Sequence, residues 1–339
     1  MTRYLFIAAL AIVGATFIAP PTAESETKDK KIAFSNSTDD DAFRKAMLSS
    51  WDRVSTQAVR NGVIEETAVY PTAEKQIAEQ ETQIRNLIQQ GYNAIVVNAA
   101  SRDGLNGVIK QACDAGIVVV SFDGIVSEPC AWRLSVDFEA MGRAQIEYLK
   151  SVLPDGGNLL EIRGLAGTEV DDKIHAGIEA GVRENPQFKI IGSIHGDWSD
   201  ETAKKAVASI LGSLPEIKAV VTQGGDGLGA AQAFAAAGRP TPVIVMSNRE
   251  DELSWWKEQK DASGYKTMSL WPAPAVSTLA FWVAQLILDG EQVPKELTLP
   301  LLQINQDNLE ATLQNIEKGG MANTRYMRDD ARKMIPQPQ

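Results

Sequence analysis

Residues 91–123 read GYNAIVVNAASRDGLNGVIKQACDAGIVVVSFD. An apolar run, Ala94 to Val97, stops at Asn98. Leu105, Val108, Ile109 and Ala112 then recur at i, i+3, i+4 and i+7, the spacing of one helix face. Gly116 closes that helix, and a second apolar run, Ile117 to Phe122, ends at Asp123. Continuous β-branched runs flanking an amphipathic helix predict parallel strands buried on both faces. In open α/β sheets ligands bind beyond the carboxyl ends of the strands. Asn98 and Asp123 occupy two such ends.

The same alternation extends in both directions. Towards the N-terminus, strand 31–35 leads through a polar loop to a helix carrying Phe43, Met47, Trp51 and Val54. A short strand near 63–67 and a helix over 74–90 follow. Beyond residue 130 the pattern changes: Asp137 interrupts the apolar residues Leu134 and Val136, which predicts a crossing into a second domain, with Asp137 in the hinge. Helices are expected over 141–152, 200–211, 228–237, 250–260 and 275–288, another opens at the GLAGT loop, and strands over 158–162, 189–194, 219–222, 243–246 and 266–270. The tail reads as a strand at 301–304, a helix over 308–317 and a polar end. The predicted fold class is therefore α/β, two doubly wound parallel-sheet lobes. At 339 residues the chain exceeds one typical core, in keeping with two lobes.

Acidic residues outnumber basic ones, 44 to 33, for a net charge of −11. That balance argues against a nucleic-acid surface. The opening MTRYLFIAALAIVGATFIAPPTA has a basic start, a short apolar run and a small residue at position 23, the pattern of a cleaved secretory signal over residues 1–23. A membrane anchor is the rival, but the run falls short of the ~20 residues a span needs. An exported chain meets an oxidising compartment, so Cys113 and Cys130 are expected to form a disulfide; the alternative is two free thiols. His175 and His195 lack ligand spacing to either cysteine, so no metal site is expected.

The strand ends supply the chemistry. The first lobe contributes Asp41, Phe43, Arg44, Asn98 and Asp123. The second contributes Asp172, Trp198, Gln223 and Asn248, and Trp271 completes the set. Aromatic rings cover the apolar faces of a sugar, while carboxylates, amides and guanidinium bond its hydroxyls. Each residue also has a plainer reading. Phe43 begins a core stripe, Asp41 and Asp172 suit helix N-termini, Arg44 could be solvated, and Trp271 could pack in the hinge. Trp198 lies among Asp197, Ser199 and Asp200 with no apolar stripe to bury it. Residues 224–229 are spaced G-G-x-G-x-G, unlike a dinucleotide fingerprint, and read as a tight strand-to-helix turn beside a ligand. Neither a P-loop nor a nucleophile elbow occurs. No catalytic residue and no cofactor are expected.

In its motifs the chain resembles the periplasmic sugar-binding proteins of ABC importers, the ribose-binding-protein-like group. The resemblance spans about residues 30–310. It rests on IAFSNS followed by Asp41, Phe43 and Arg44, on VVVSFDG, on LLEIRGLAGT and on VVTQGGDGLGAAQA, in that order behind an export signal. It implies two lobes, 30–136 with 270–299 and 137–269 with 300–335, joined by three crossings near 135–137, 269–271 and 299–301. It also implies a polar contact at 41, an aromatic stacker at 43 or 44, an acidic rim residue at 123, a second stacker at 198 and polar contacts at 223 and 248. Three departures alter the rim: Asp171-Asp172 replace an arginine, Asn248 stands for an aspartate, and Leu270-Trp271 stand for a glutamine. The expected function is a monomeric, periplasmic, non-enzymatic receptor that hands a monosaccharide or polyol to an ABC importer permease. A secreted carbohydrate hydrolase, or a receptor for a non-sugar diol or small amine, is the alternative.

Overall fold

The computed structural model describes residues 26–38, 42–72 and 76–336. The predicted signal segment and Asp41 lie outside the described residues. The first lobe runs β1 (Lys31–Asn36), α1 (Ala42–Arg60), β2 (Glu66–Pro71), α2 (Ile77–Gln89), β3 (Ala94–Asn98), α3 (Asn106–Asp114), β4 (Val118–Phe122) and β5 (Trp132–Ser135). The second runs α4 (Phe138–Val152), β6 (Gly157–Arg163), α5 (Glu169–Glu184), β7 (Phe188–His195), α6 (Asp200–Leu211), β8 (Ala219–Val221), α7 (Gly227–Ala236), β9 (Val243–Ile244), α8 (Glu250–Ser263) and β10 (Ser269–Pro272). The chain ends with α9 (Val276–Leu288), β11 (Glu296–Thr298), β12 (Leu301–Ile304), α10 (Leu309–Leu313) and α11 (Arg328–Lys333).

Six strands form the first sheet in the order β11-β5-β4-β3-β1-β2, and all its pairings are parallel. Successive side chains alternate between two buried faces. Ile32, Phe34, Val96 and Phe122 pack with Trp51 of α1 and Phe281 of α9. Ala33, Ile95, Val97 and Val119 pack beneath α2 and α3. The second sheet, β7-β6-β8-β9, is also parallel. The antiparallel pair β10-β12 adjoins it through a bridge from Met246 to Ser269. No helix of the described residues is long and apolar enough to cross a membrane.

Close helix packing sets one wall of the second lobe. A Cβ at Gly142 would lie 2.2 Å from the Ile174 carbonyl oxygen, and one at Gly177 would lie 2.1 Å from that of Glu139. Only glycine lets the α4 and α5 backbones touch, and this contact fixes where the start of α5 sits.

Several elements differ from the sequence reading. Residues 132–135 form a parallel strand of the first sheet, and the crossing follows it at 136–137. β11 and α11 are additional elements. The tail departs from the expected division, because α11 packs against α9 and buries Ala331 in the first lobe's core. Asp137 caps α4, accepting a hydrogen bond from the Ala140 amide at 2.8 Å.

Cys113 and Cys130 form a disulfide with Cα atoms 6.3 Å apart. It ties α3 to the loop that returns from Asp123 to β5, a parallel connection with no helix to brace it. With a separation of 17 residues, its removal should cost about 3 kcal/mol in the chain-entropy model. Urea unfolding of the Cys113→Ser/Cys130→Ser double variant against the oxidised protein checks this, and equal midpoints would refute it.

Candidate functional site

The carboxyl ends of the two sheets face a shared cleft of about 1070 Å³. The first lobe contributes Thr38, Phe43 and Arg44 after β1, and Asp123 after β4. From the second come Leu165, Thr168 and Val170 around the start of α5, then Trp198, Gly224 and Gly225, and the run from Ser247 to Arg249 with Asp251. Phe138, Trp271 and Pro272 lie next to the crossings.

Backbone strain concentrates here. Among the described residues, three that are not glycine have positive φ: Asp123 (58°), Asp197 (54°) and Trp198 (56°). A bulky residue in this region is a true outlier, and such strain costs of order 1–3 kcal/mol. Two of the three line the cleft.

On the first-lobe wall, Asp123 pairs with Arg44 at 2.8 Å and accepts from Asn98 Nδ2 at 3.3 Å. Asn98 is buried, and its Oδ1 accepts the Gly124 amide at 3.1 Å. It therefore shapes the turn that aims Asp123 without itself lining the cleft. The Arg44 guanidinium stands 5.3 Å from the centre of the Phe43 ring, a cation–π arrangement.

On the opposite wall, the Trp198 ring rests on Gly164, where a Cβ would lie 2.4 Å from it. Trp271 covers Gly224 in the same way, at 3.0 Å. Trp198 Nε1 and Asn248 Oδ1 are buried atoms without a protein hydrogen-bond partner. Asn248 Nδ2 is engaged by the Ala322 carbonyl at 3.1 Å. The Trp198 carbonyl accepts from Arg249 Nη2 at 3.2 Å.

Behind Arg249 lie three acids, Asp226, Glu252 and Asp200. Asp226 and Glu252 are fully buried. Burial first, and then the neighbouring Glu252, hold the Asp226 carboxyl well above the usual carboxylate range. Burial, followed by Asp200, pushes Glu252 up to about 7 although its Oε2 accepts the Ser247 amide at 2.6 Å. Among the described residues no group of three His, Cys, Asp or Glu is arranged to hold a metal ion.

Of the residues expected from sequence, Phe43, Arg44, Asp123, Trp198, Asn248 and Trp271 line the cleft. Gln223 does not: it is buried and donates to the Asp171 carbonyl at 3.1 Å, holding the start of α5. Asp172 does not either, since its exposed side chain meets Arg163 at 3.2 Å. The Asp171-Asp172 departure is structural, because buried Asp171 takes a two-pronged bond from Arg163, at 3.0 and 2.7 Å. The sequence reading missed Phe138, Leu165, Arg249 and the segment Gly319–Met321. Arg249 directly follows a named strand end and was within reach. Gly319–Met321 come from the tail, which no strand-end argument covers.

Residues 32–292 match the family described as periplasmic binding protein domain. The chain is 25% identical to the xylitol-binding protein of Mycolicibacterium smegmatis over 252 residues, 73% of this chain and 71% of that one. It is 22% identical to the ribose import binding protein of Bacillus subtilis, over 84% of this chain and 90% of the relative. An ABC transporter solute binding protein from Thermobispora bispora superposes with a TM-score of 0.73 at 30% identity, covering 91% of this chain and 95% of that one.

Proposed function

Because the chain belongs to the periplasmic binding protein domain family, we propose that it is an exported receptor for a neutral monosaccharide or polyol, which it holds between its lobes and delivers to the permease of an ABC importer. The observation that carries this is the lining of the cleft. Phe43, Phe138, Trp198 and Trp271 supply flat apolar faces, and Trp198 Nε1 and Asn248 Oδ1 supply an unpaired donor and an unpaired acceptor. Leaving such a buried group unmatched costs about 1–3 kcal/mol, so a ligand that offers hydroxyls to both is favoured. The charged side chains of the lining balance, with Arg44 and Arg249 against Asp123 and Asp251, which suits an uncharged guest. The relatives that bind xylitol, ribose and, at 26% identity, D-xylose point to the same ligand class.

Closure of the lobes about the crossings would bury the ligand, with binding energy stabilising the closed form. No chemistry on the ligand is required. Asp123 is already committed to Arg44 and Asn98, an unsuitable state for a glycosidase acid. The receptor is read as a monomer, working in the periplasm after loss of its leader.

Thermal unfolding with xylitol, D-xylose, D-ribose and D-allose tests the reading. By linkage, ligand at a thousand times its dissociation constant stabilises by about 4 kcal/mol. A flat melting temperature across these sugars, with turnover of aryl glycosides, would replace the receptor with a hydrolase.

A further inference from the structure

The tail does more than finish the fold. Residues 319–322 lie along the strand end that carries Asn248. Met321 bridges Arg249 antiparallel. The Ala322 amide donates to the Asn248 carbonyl at 2.7 Å, and the Glu250 amide donates to the Gly320 carbonyl at 3.0 Å. The Gly319 amide adds a bond to Glu250 Oε2 at 3.1 Å. This segment is part of the second lobe. The very next residue belongs to the first: Asn323 Oδ1 accepts the Ala275 amide at 2.8 Å, and its Nδ2 donates to Ser50 Oγ of α1 at 2.9 Å. α11 then docks on α9, where Arg328 Nε donates to Gln285 Oε1 at 2.6 Å.

We propose that residues 319–323 form a fourth connection between the lobes, and that Met321 on this connection is a specificity-determining residue of the ligand cleft. Among the described residues the chain already crosses at 136–137, 273–275 and 299–300. The fourth crossing has no slack, since Ala322 and Asn323 are held by different lobes while their Cα atoms are only about 3.8 Å apart. It limits how far the lobes can part. Because 319–322 are laddered onto 248–250, Met321 travels with the second-lobe wall and sets the space beside Asn248 and Arg249 in every degree of opening. Its unbranched thioether fills irregular volume, and none of the three hydrogen bonds that hold the segment depends on its side chain.

The specificity role rests on the receptor reading above; the mechanical role does not. Two variants of the full chain separate them. Met321→Ala is titrated calorimetrically with D-ribose and D-allose, which differ by one hydroxymethyl group. The ratio of allose to ribose affinity should rise about tenfold, the scale of one added carbon in a fitted pocket. A ratio within twofold of the parent overturns the specificity role. Failure of the parent to bind either sugar also overturns it, while the receptor reading falls only if xylitol and D-xylose fail to bind as well. A six-residue Gly-Ser insertion between Ala322 and Asn323 leaves both anchors intact. Small-angle X-ray scattering of the unliganded insertion protein should give a larger radius of gyration than the parent. An unchanged value overturns the fourth connection, whatever the sugars do.

Discussion

Trp198→Ala should weaken sugar binding by about 30-fold or more, the equivalent of losing roughly 2 kcal/mol from a buried aromatic anchor, while leaving the unliganded protein no less stable. The two halves of this expectation have one origin. The Trp198 backbone sits at φ 56°, where a bulky side chain is strained, and its indole Nε1 is buried without a partner. Neither feature stabilises the empty protein. Both serve an aromatic face held against Gly164 before the ligand arrives. The carbonyl that accepts from Arg249 survives the substitution, so the wall behind it should persist. Isothermal titration gives the affinity and calorimetric melting the stability. Parallel losses in both would mean that Trp198 is a packing residue and the stacking role is wrong.

The second large effect is on pH dependence. Glu252 releases its proton near 4.5 when unfolded and holds it up to about 7 when folded. Between those values the folded state binds more protons, so stability falls as pH rises. The contribution is complete below 4.5 and is lost as pH climbs through about 7. At 1.36 kcal/mol per unit the loss is on the order of 3 kcal/mol for this group. Glu252→Gln keeps an acceptor for the Ser247 amide and cannot ionise. It should match the parent near pH 4.5, exceed it in stability at pH 8, and show a shallower slope between. Asp226, also raised by burial, keeps the slope from vanishing. Urea midpoints across this range decide the matter, and identical profiles would discard the account.

The fold was legible where burial is two-sided. Ala94–Val97 and Ile117–Phe122 are unbroken because both faces of their strands are covered, and each ends in a polar residue because the sheet ends there. The same rule fails for β5 and β11. Trp132 and Arg133 are only partly buried, and Glu296 and Thr298 flank a single buried Leu297. In α11 one buried alanine sits among five charged residues, too little for any periodicity to appear. The site followed a similar course. Strand-end logic reached Phe43, Asp123 and Trp198, but it could not separate a residue that faces the cleft from one that braces it. Asn98 and Gln223 sit at equally good strand ends and turn inward to hold backbone groups. Asp172 shares the start of α5 with Asp171, and both meet Arg163, which lies at the end of β6.

The first lobe closes on itself with pieces drawn from the far end of the chain. Ser277 donates to the Met47 carbonyl across 230 residues, and α9 lies over Trp51 and Phe34 as the missing half of their core. As the polypeptide leaves the ribosome, α1 and the first strands appear early but have nothing to cover that face. The second lobe is continuous from α4 to α8 and draws from the tail only β12, α10 and residues 319–322 at its margin, whereas the core of the first lobe must wait for α9. Order of synthesis and order of completion thus run in opposite senses, and the nascent chain keeps a greasy, unfinished surface until its last sixty or so residues arrive.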